Sequence, residues 1–216
     1  MKKLNLSLAA LAVAGAFAMP AQAAVLLGAK VGADAWYADA KIDDKRADDT
    51  NVQGSYYAAF EHFIPLVPNA KIRYTDVSSS GANTPNVDFT QYDFIAYYEI
   101  LDNDLISFDI GLNLQKFEGN WGSQNFDEWQ PNVYSDVRLG IPATPVSLFG
   151  SFSFGSYDET STVDGEAGIL FTLGLVAADL NFKAGYRVQD YDFNYFGANQ
   201  GKFMNDGFFG GVEFNF

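Results

Sequence analysis

The sequence predicts an all-β chain closed into an antiparallel barrel, with ten strands the first reading and eight the alternative. Three observations predict it. Apolar and polar residues alternate with period two through most of the 216 residues. Beyond Pro20 no stretch approaches about 18 consecutive apolar residues, so a membrane could be crossed only by strands. The links between the alternating stretches also alternate, tight and then long.

The alternation is cleanest at the fifth stretch. Ile106, Phe108, Ile110, Leu112 and Leu114 share one face, and Ser107, Asp109, Gly111, Asn113 and Gln115 the other. Such a split means that one side meets something oily and the other something wet. Taken in order, the expected strands are 25–37, 54–64, 69–77, 88–100, 104–117, 131–141, 145–157, 164–175, 178–192 and 203–216. The third is the weakest, with only Ala70, Ile72 and Tyr74 outward, and a misread short pair there would leave eight. Tight links are expected at 65–69, 101–104, 142–145 and 176–179. Mostly longer ones, rich in Asp, Asn, Ser and Gly, are expected at 38–53, 78–87, 118–130, 158–163 and 193–202. Short turns at one end and long loops at the other are the pattern of transmembrane barrels.

The N-terminal segment reads as an export signal. Lys2 and Lys3 precede an apolar run, Leu4 to Ala18, and Ala21-Gln22-Ala23 fits the small-x-small cleavage rule. Residues 1–23 are therefore expected to be removed, leaving 24–216 as one barrel domain. The run is too short for a membrane anchor. Its removal deepens the formal charge from −14 to about −16, which argues against nucleic acid, since that partner needs a basic footprint. Cysteine is absent, so no disulfide braces the exported chain.

Alternation alone does not say which face points inward, and a soluble lipocalin-like barrel would put the apolar face inside. The glycines argue otherwise. Gly28, Gly32, Gly111, Gly168, Gly185 and Gly211 lie on the polar face, where they make room inside a narrow barrel. Tyr37, Tyr56, Tyr74, Tyr92, Tyr98, Tyr186 and Phe216 crowd the strand ends, as interfacial girdles require. In the last strand Phe208, Gly210, Val212, Phe214 and Phe216 share one face. An alternating strand ending on an aromatic residue is the signal expected by barrel-assembly machinery.

On these residues the chain resembles the small outer-membrane β-barrel proteins of Gram-negative bacteria, and more narrowly an uncharacterised barrel family. The resemblance rests on the signal ending Ala21-Gln22-Ala23, the segments Glu61–Asn69, Tyr97–Asn103 and Ala184–Arg187, and the terminal Phe216. It implies an outer-membrane location among lipid and lipopolysaccharide. It also implies dependence on periplasmic chaperones and the assembly machinery. It implies no activity and no cofactor.

The inward parity collects charge. Lys30, Lys71, Arg73, Arg138, Lys183 and Arg187 are expected to face the lumen, with Asp34, Glu61, Asp93, Glu99, Asp109, Asp136, Glu166 and Glu213. A barrel of about eight strands is filled by its side chains, whereas about sixteen leave a channel, so ten lie nearer the filled case. The first expectation is an ion-pair plug with a structural or surface-interaction role, and the second a narrow pore for ions or small solutes. Enzymatic candidates are poor. The single histidine, His62, shares the outward parity of Tyr56, Ala58 and Phe60 beside a short turn, while omptin-type proteases keep acid and histidine groups on the external side. No His/Cys cluster suggests a transition metal. Asp39, Asp43, Asp44, Asp48 and Asp49, with Asp190 and Asp192, could bridge divalent cations, although no Gly-centred calcium loop is present.

Deleting Phe216 is expected to impair membrane insertion. Heat-modifiable gel mobility of membrane-extracted protein checks this, and unaltered folding would remove the role assigned to the last strand.

Overall fold

The computed structural model describes residues 27–47, 51–103, 105–194 and 201–216. The expected signal segment and the first two residues of the first expected strand lie outside them. The elements are β1 (Leu27–Ile42), β2 (Lys45–Arg46), β3 (Asn51–His62), β4 (Asn69–Gly81), β5 (Thr84–Asp102), β6 (Ile106–Trp121), β7 (Gln124–Gly140), β8 (Val146–Tyr157), β9 (Thr160–Gly174), β10 (Asp179–Phe193) and β11 (Gly201–Asn215). Strand β2 is a two-residue return at the tip of β1, so the wall has ten strands, not eight. Each strand pairs antiparallel with its sequence neighbour, and β11 pairs with β1 to close the ring. The seam runs from Lys30↔Asn215 to Ile42↔Phe203. Phe216 and Ala29 extend it by exchanging both backbone hydrogen bonds, at 2.9 and 3.3 Å.

The strands are longer than the sequence suggests, and the expected long loops are mostly strand. Strand β5 has 19 residues and β7 has 17, where about 9–11 suffice to cross a bilayer. Strands β4 and β5 turn over at 82–83, β6 and β7 at 122–123, and β8 and β9 at 158–159. Several polar residues that read as loop, among them Asn120, Asn125 and Asp127, form the outward, solvated face of strands that have left the membrane. Polar residues on that face do not end a strand whose inner face stays apolar. The turns are compact because their residues accept left-handed backbone. Asp43 (φ 51°) with Asp44 (φ 63°), and Asp158 (φ 50°) with Glu159 (φ 61°), each supply two consecutive positive φ values, as a two-residue type I′ hairpin requires. Residues 48–50 and 195–200, within two other expected loops, are not among those described.

The outer face divides by height. Along β6, Ile106, Ile110, Leu112 and Leu114 are exposed, and above them Lys116, Glu118 and Asn120 continue the same face. The apolar run, about nine residues, matches one crossing of a bilayer. Its upper border is a ring of aromatics. Tyr56, Tyr74 and Tyr92 stand directly opposite one another in successive strands, and Tyr37, Phe208 and Tyr186 do so across the seam. The Tyr74–Tyr92 ring centroids lie 5.5 Å apart and the Tyr186–Phe208 centroids 5.0 Å. At the lower border the Tyr98 hydroxyl donates to the Leu66 carbonyl at 3.0 Å, and Phe214 stacks on Phe216. Among the described residues no helix is long and apolar enough to cross a membrane.

Inward glycines admit large neighbours. A Cβ on Gly32 would lie 2.2 Å from the Tyr57 ring, which crosses the lumen beside it. Gly32→Val should therefore cost about 1–3 kcal/mol by overpacking. Gly210→Ala, whose added Cβ would meet only the Lys183 carbonyl oxygen at 3.8 Å, should change little. Urea unfolding of the refolded protein distinguishes the two.

Candidate functional site

The lumen encloses polar side chains that form layers. The lowest lies at the end carrying Phe216. There Lys30 meets Glu61 at 2.5 Å, and the Tyr97 hydroxyl donates to Glu61 at 2.8 Å. The Arg138 guanidinium forks onto Glu213, both bonds 3.1 Å, while Asn181 and the Tyr57 hydroxyl donate to the same carboxylate at 2.9 and 2.7 Å. A forked, doubly supported pair is the geometry that offsets desolvation of the two charges. Glu99 lies at the rim, exposed, where a bulge between Glu99 and Leu101 shifts the register. Asp109 lies opposite it on β6, and Asp136 lies opposite Asp109 on β7.

The middle layer holds the most buried ions. Arg73 meets Glu166 at 2.9 Å, and Lys183 meets Asp34 at 3.1 Å and Glu166 at 3.8 Å. Lys183 also stands 4.8 Å from the centre of the Tyr57 ring. Among the described residues, no carboxylate lies within bonding reach of Lys71. Its ammonium donates to the Tyr134 hydroxyl at 3.2 Å and lies over the Tyr57 and Tyr134 rings at 5.0 and 5.5 Å. Aromatic faces attract a cation most strongly where water is excluded.

One layer higher, Arg187 forks onto Asp164 at 2.9 and 2.7 Å. Asp93 accepts from three amides: Asn113 and Gln115, each at 2.8 Å, and Gln91 at 3.0 Å. It is thus held by neutral donors and not by a cation. Asn132, Thr162, Gln189 and Asn205 extend this amide layer.

Above the amides the inner face turns apolar. Phe89, Phe117, Phe193 and Phe203 pack edge-on, with Phe89–Phe203 centroids 5.3 Å apart and Phe117–Phe193 centroids 5.1 Å, and Phe126 joins them at a tilt. Ile42, Val77, Val87 and Tyr191, with Ala40 and Ala47, complete this cluster, and Trp121 packs against it. Sequence reasoning missed the cap because it assigned residues 118–130 and 193–202 to loops and began the fourth strand at 88. The signal was present: Val87 and Phe89 carry the inward parity of Gln91 and Asp93 upward without a break. Tyr57, Tyr134 and Asp164 were missed for another reason. Their inward parity was visible, but their partners lie on strands far away in sequence.

The remaining candidates are scattered. His62 lies at the lower rim, where its Nδ1 accepts a hydrogen bond from the Ile64 amide at 3.2 Å and its ring lies beside Phe60. Of the acids expected in the first loop, Asp39 lies on β1, where it meets Arg46, and Asp43 and Asp44 form the turn that follows; Asp190 and Asp192 lie on β10, within the strand expected there. Asp44 pairs with Lys202 at 3.1 Å. Asp48 and Asp49 lie outside the described residues.

A closed wall, an apolar outer band between aromatic rings and a lumen of polar side chains define a transmembrane β-barrel of the outer-membrane type. No protein-family model matches the chain, and no curated protein matches it. Among solved structures it is similar to the β domain of the Bordetella autotransporter BrkA (6% identity, 88% of this chain and 99% of that one, TM-score 0.45). It is also similar to Neisserial surface protein A (16%, 87% and 95%, 0.37) and to Ail, the attachment invasion locus protein of Yersinia pestis (12%, 88% and 99%, 0.37). Likeness at these scores carries no argument about activity.

Glu166→Ala should cost about 3–5 kcal/mol, because it strands Arg73 in the lumen. The double variant Arg73→Met, Glu166→Leu should recover most of that. Denaturant unfolding of the refolded variants reads both.

Proposed function

We propose that the protein is an integral outer-membrane β-barrel with a structural or surface-interaction role, its lumen closed to solutes. The observation that carries this reading is the aromatic cap over the ion-paired lumen. A solute entering from the lower end would have to separate the Arg73–Glu166 and Arg187–Asp164 pairs, then displace Phe89, Phe117 and Phe193. Separating a buried pair leaves an uncompensated charge, and opening the cap costs dispersion contacts.

The barrel sits among outer-membrane lipid and lipopolysaccharide, with its long-strand end outward. Above the aromatic ring the wall stands in water and presents Asp39, Asp127, Asp190 and Asp206 with Lys41, Lys116 and Lys202, a surface available to an external partner. Assembly runs through periplasmic chaperones and the barrel-assembly machinery, which engages the face formed by Phe208, Gly210, Val212, Phe214 and Phe216. The role is not catalytic. The chain's single imidazole accepts a hydrogen bond from the Ile64 amide in a turn at the lower rim, on the face opposite its neighbour Glu61.

Planar-bilayer recording tests the closed lumen. The refolded protein should be silent, while Phe117→Ala combined with Phe193→Ala should open brief, discrete steps. Ion-selective steps from the unmodified protein would replace this reading with that of a narrow pore. Density fractionation of cell envelopes tests the location.

A further inference from the structure

The two ends of the barrel carry turns of opposite chemistry. The upper turns at 43–44, 82–83, 122–123 and 158–159 contain no apolar residue larger than alanine. The lower turns do the reverse. Those at 63–68, 141–145 and 175–178 contain no charged residue, and the fourth, 103–105, ends on an exposed leucine. Leu66 is 91% exposed, Val176 is wholly so, and Phe63 and Ile141 are exposed as well. Single apolar residues on a surface need no account, but their recurrence at all four turns of one end does.

The backbone of these turns is arranged as lipid contact demands. Pro65, Pro68, Pro142 and Pro145 have no N–H to satisfy. Several of the remaining amides find partners within the protein. His62 donates to Asn69 Oδ1 at 2.9 Å, Ile64 to His62 Nδ1 at 3.2 Å, Ile141 to the Val146 carbonyl at 2.9 Å and Leu175 to the Ala178 carbonyl at 2.8 Å. The Leu66 carbonyl is taken by the Tyr98 hydroxyl at 3.0 Å. Turns standing in water have no such need, because solvent serves their polar groups. Leu66 also holds φ at 67°, a left-handed conformation that glycine or asparagine adopts at less cost, so the chain displays this side chain against a local penalty.

The height of the wall points the same way. On β4 the outward face is apolar only from Ala70 to Tyr74, and Asp76 follows. From Asn69 to Asp76, at about 3.3 Å rise per residue and a tilt of about 40°, the strand climbs about 18 Å, against an apolar band about 25 Å tall. The turn at 63–68 hangs from the foot of β4 and supplies the missing apolar height. Its surface is therefore continuous with the lipid-facing band. An open groove of about 400 Å³ between the second and third lower turns, lined by Leu105, Ile141, Pro142, Pro145 and Val146, extends that surface further.

We propose that the lower turns are seated in the phospholipid leaflet next to them, at the boundary of headgroups and acyl chains, instead of projecting into water. The inference rests on the membrane-barrel reading above and adds the occupant of this rim. Residues placed at that boundary fix how deep a spanning structure sits, so Leu66, Ile141 and Val176 set the depth of the barrel from below.

The absence of cysteine makes the test direct. Single variants Leu66→Cys, Val176→Cys, Leu112→Cys in the lipid-facing band and Ser123→Cys in an upper turn each carry a nitroxide spin label. They are refolded into vesicles of phosphatidylethanolamine and phosphatidylglycerol and checked by heat-modifiable mobility. Relaxation by oxygen, which partitions into lipid, is compared with relaxation by a water-soluble nickel chelate. The oxygen-to-nickel ratio at residues 66 and 176 should stand several-fold above that at 123 and below that at 112. Either turn gives the reading should the other variant fail to fold. Ratios at 66 and 176 equal to that at 123, with 112 still in lipid, would overturn the inference and leave the barrel intact. An aqueous ratio at 112 in a folded variant would instead overturn the membrane-barrel reading itself. Labels that are aqueous in vesicles but shielded in isolated outer membranes would assign the rim to a protein partner, and the lipid seat would again be wrong.

Discussion

Every backbone N–H and C=O that faces lipid needs a partner within the protein, and that demand shapes the rest of this structure. Closure of β11 on β1 meets it. The seam carries the ladder from Lys30↔Asn215 to Ile42↔Phe203, and Phe216 adds a further pair with Ala29. Without that pairing the wall would have two long, apolar edges. With it, the wall becomes a tube whose interior is sealed from the bilayer, and charges in that interior become tolerable.

The interior is then a problem in neutralisation. Most of its bonds join strands remote in sequence, such as Lys183 to Asp34 and Tyr57 to Glu213, so they form only when the tube closes. Glycines set the space for them: Gly32 yields its volume to Tyr57, the residue that touches Glu213 and Lys183 and lies beside Lys71. Charge is balanced unevenly along the axis. The middle of the lumen matches its cations to carboxylates, amides or rings, and the apolar cap needs no matching. The lower mouth keeps an excess of acid.

Much of this was legible along the chain. The alternation from Ile106 to Leu114 has its apolar face on the outside because lipid and a solvated lumen impose opposite demands on the two sides of one strand. The fourteen lumen charges could be named by parity alone. Strand ends were less legible. Asp88, Glu118 and Asp127 resemble loop residues in sequence, since a solvated strand face and a solvated loop have the same composition. Only pairing with a neighbouring strand separates them, and pairing is not local.

The sequence by itself determined the two-faced strands and which side chains share a face, because a period of two is a property of the extended backbone; the choice of ten strands over eight came with the ring. Tertiary structure decided which of those inward groups meet. Closure brought Arg73 to Glu166 and Arg187 to Asp164, and gave Asp93 three amides instead of a cation. It also gathered five phenylalanines from five strands into one cap. Register and curvature set these distances, and both arise only when ten strands share a single ring.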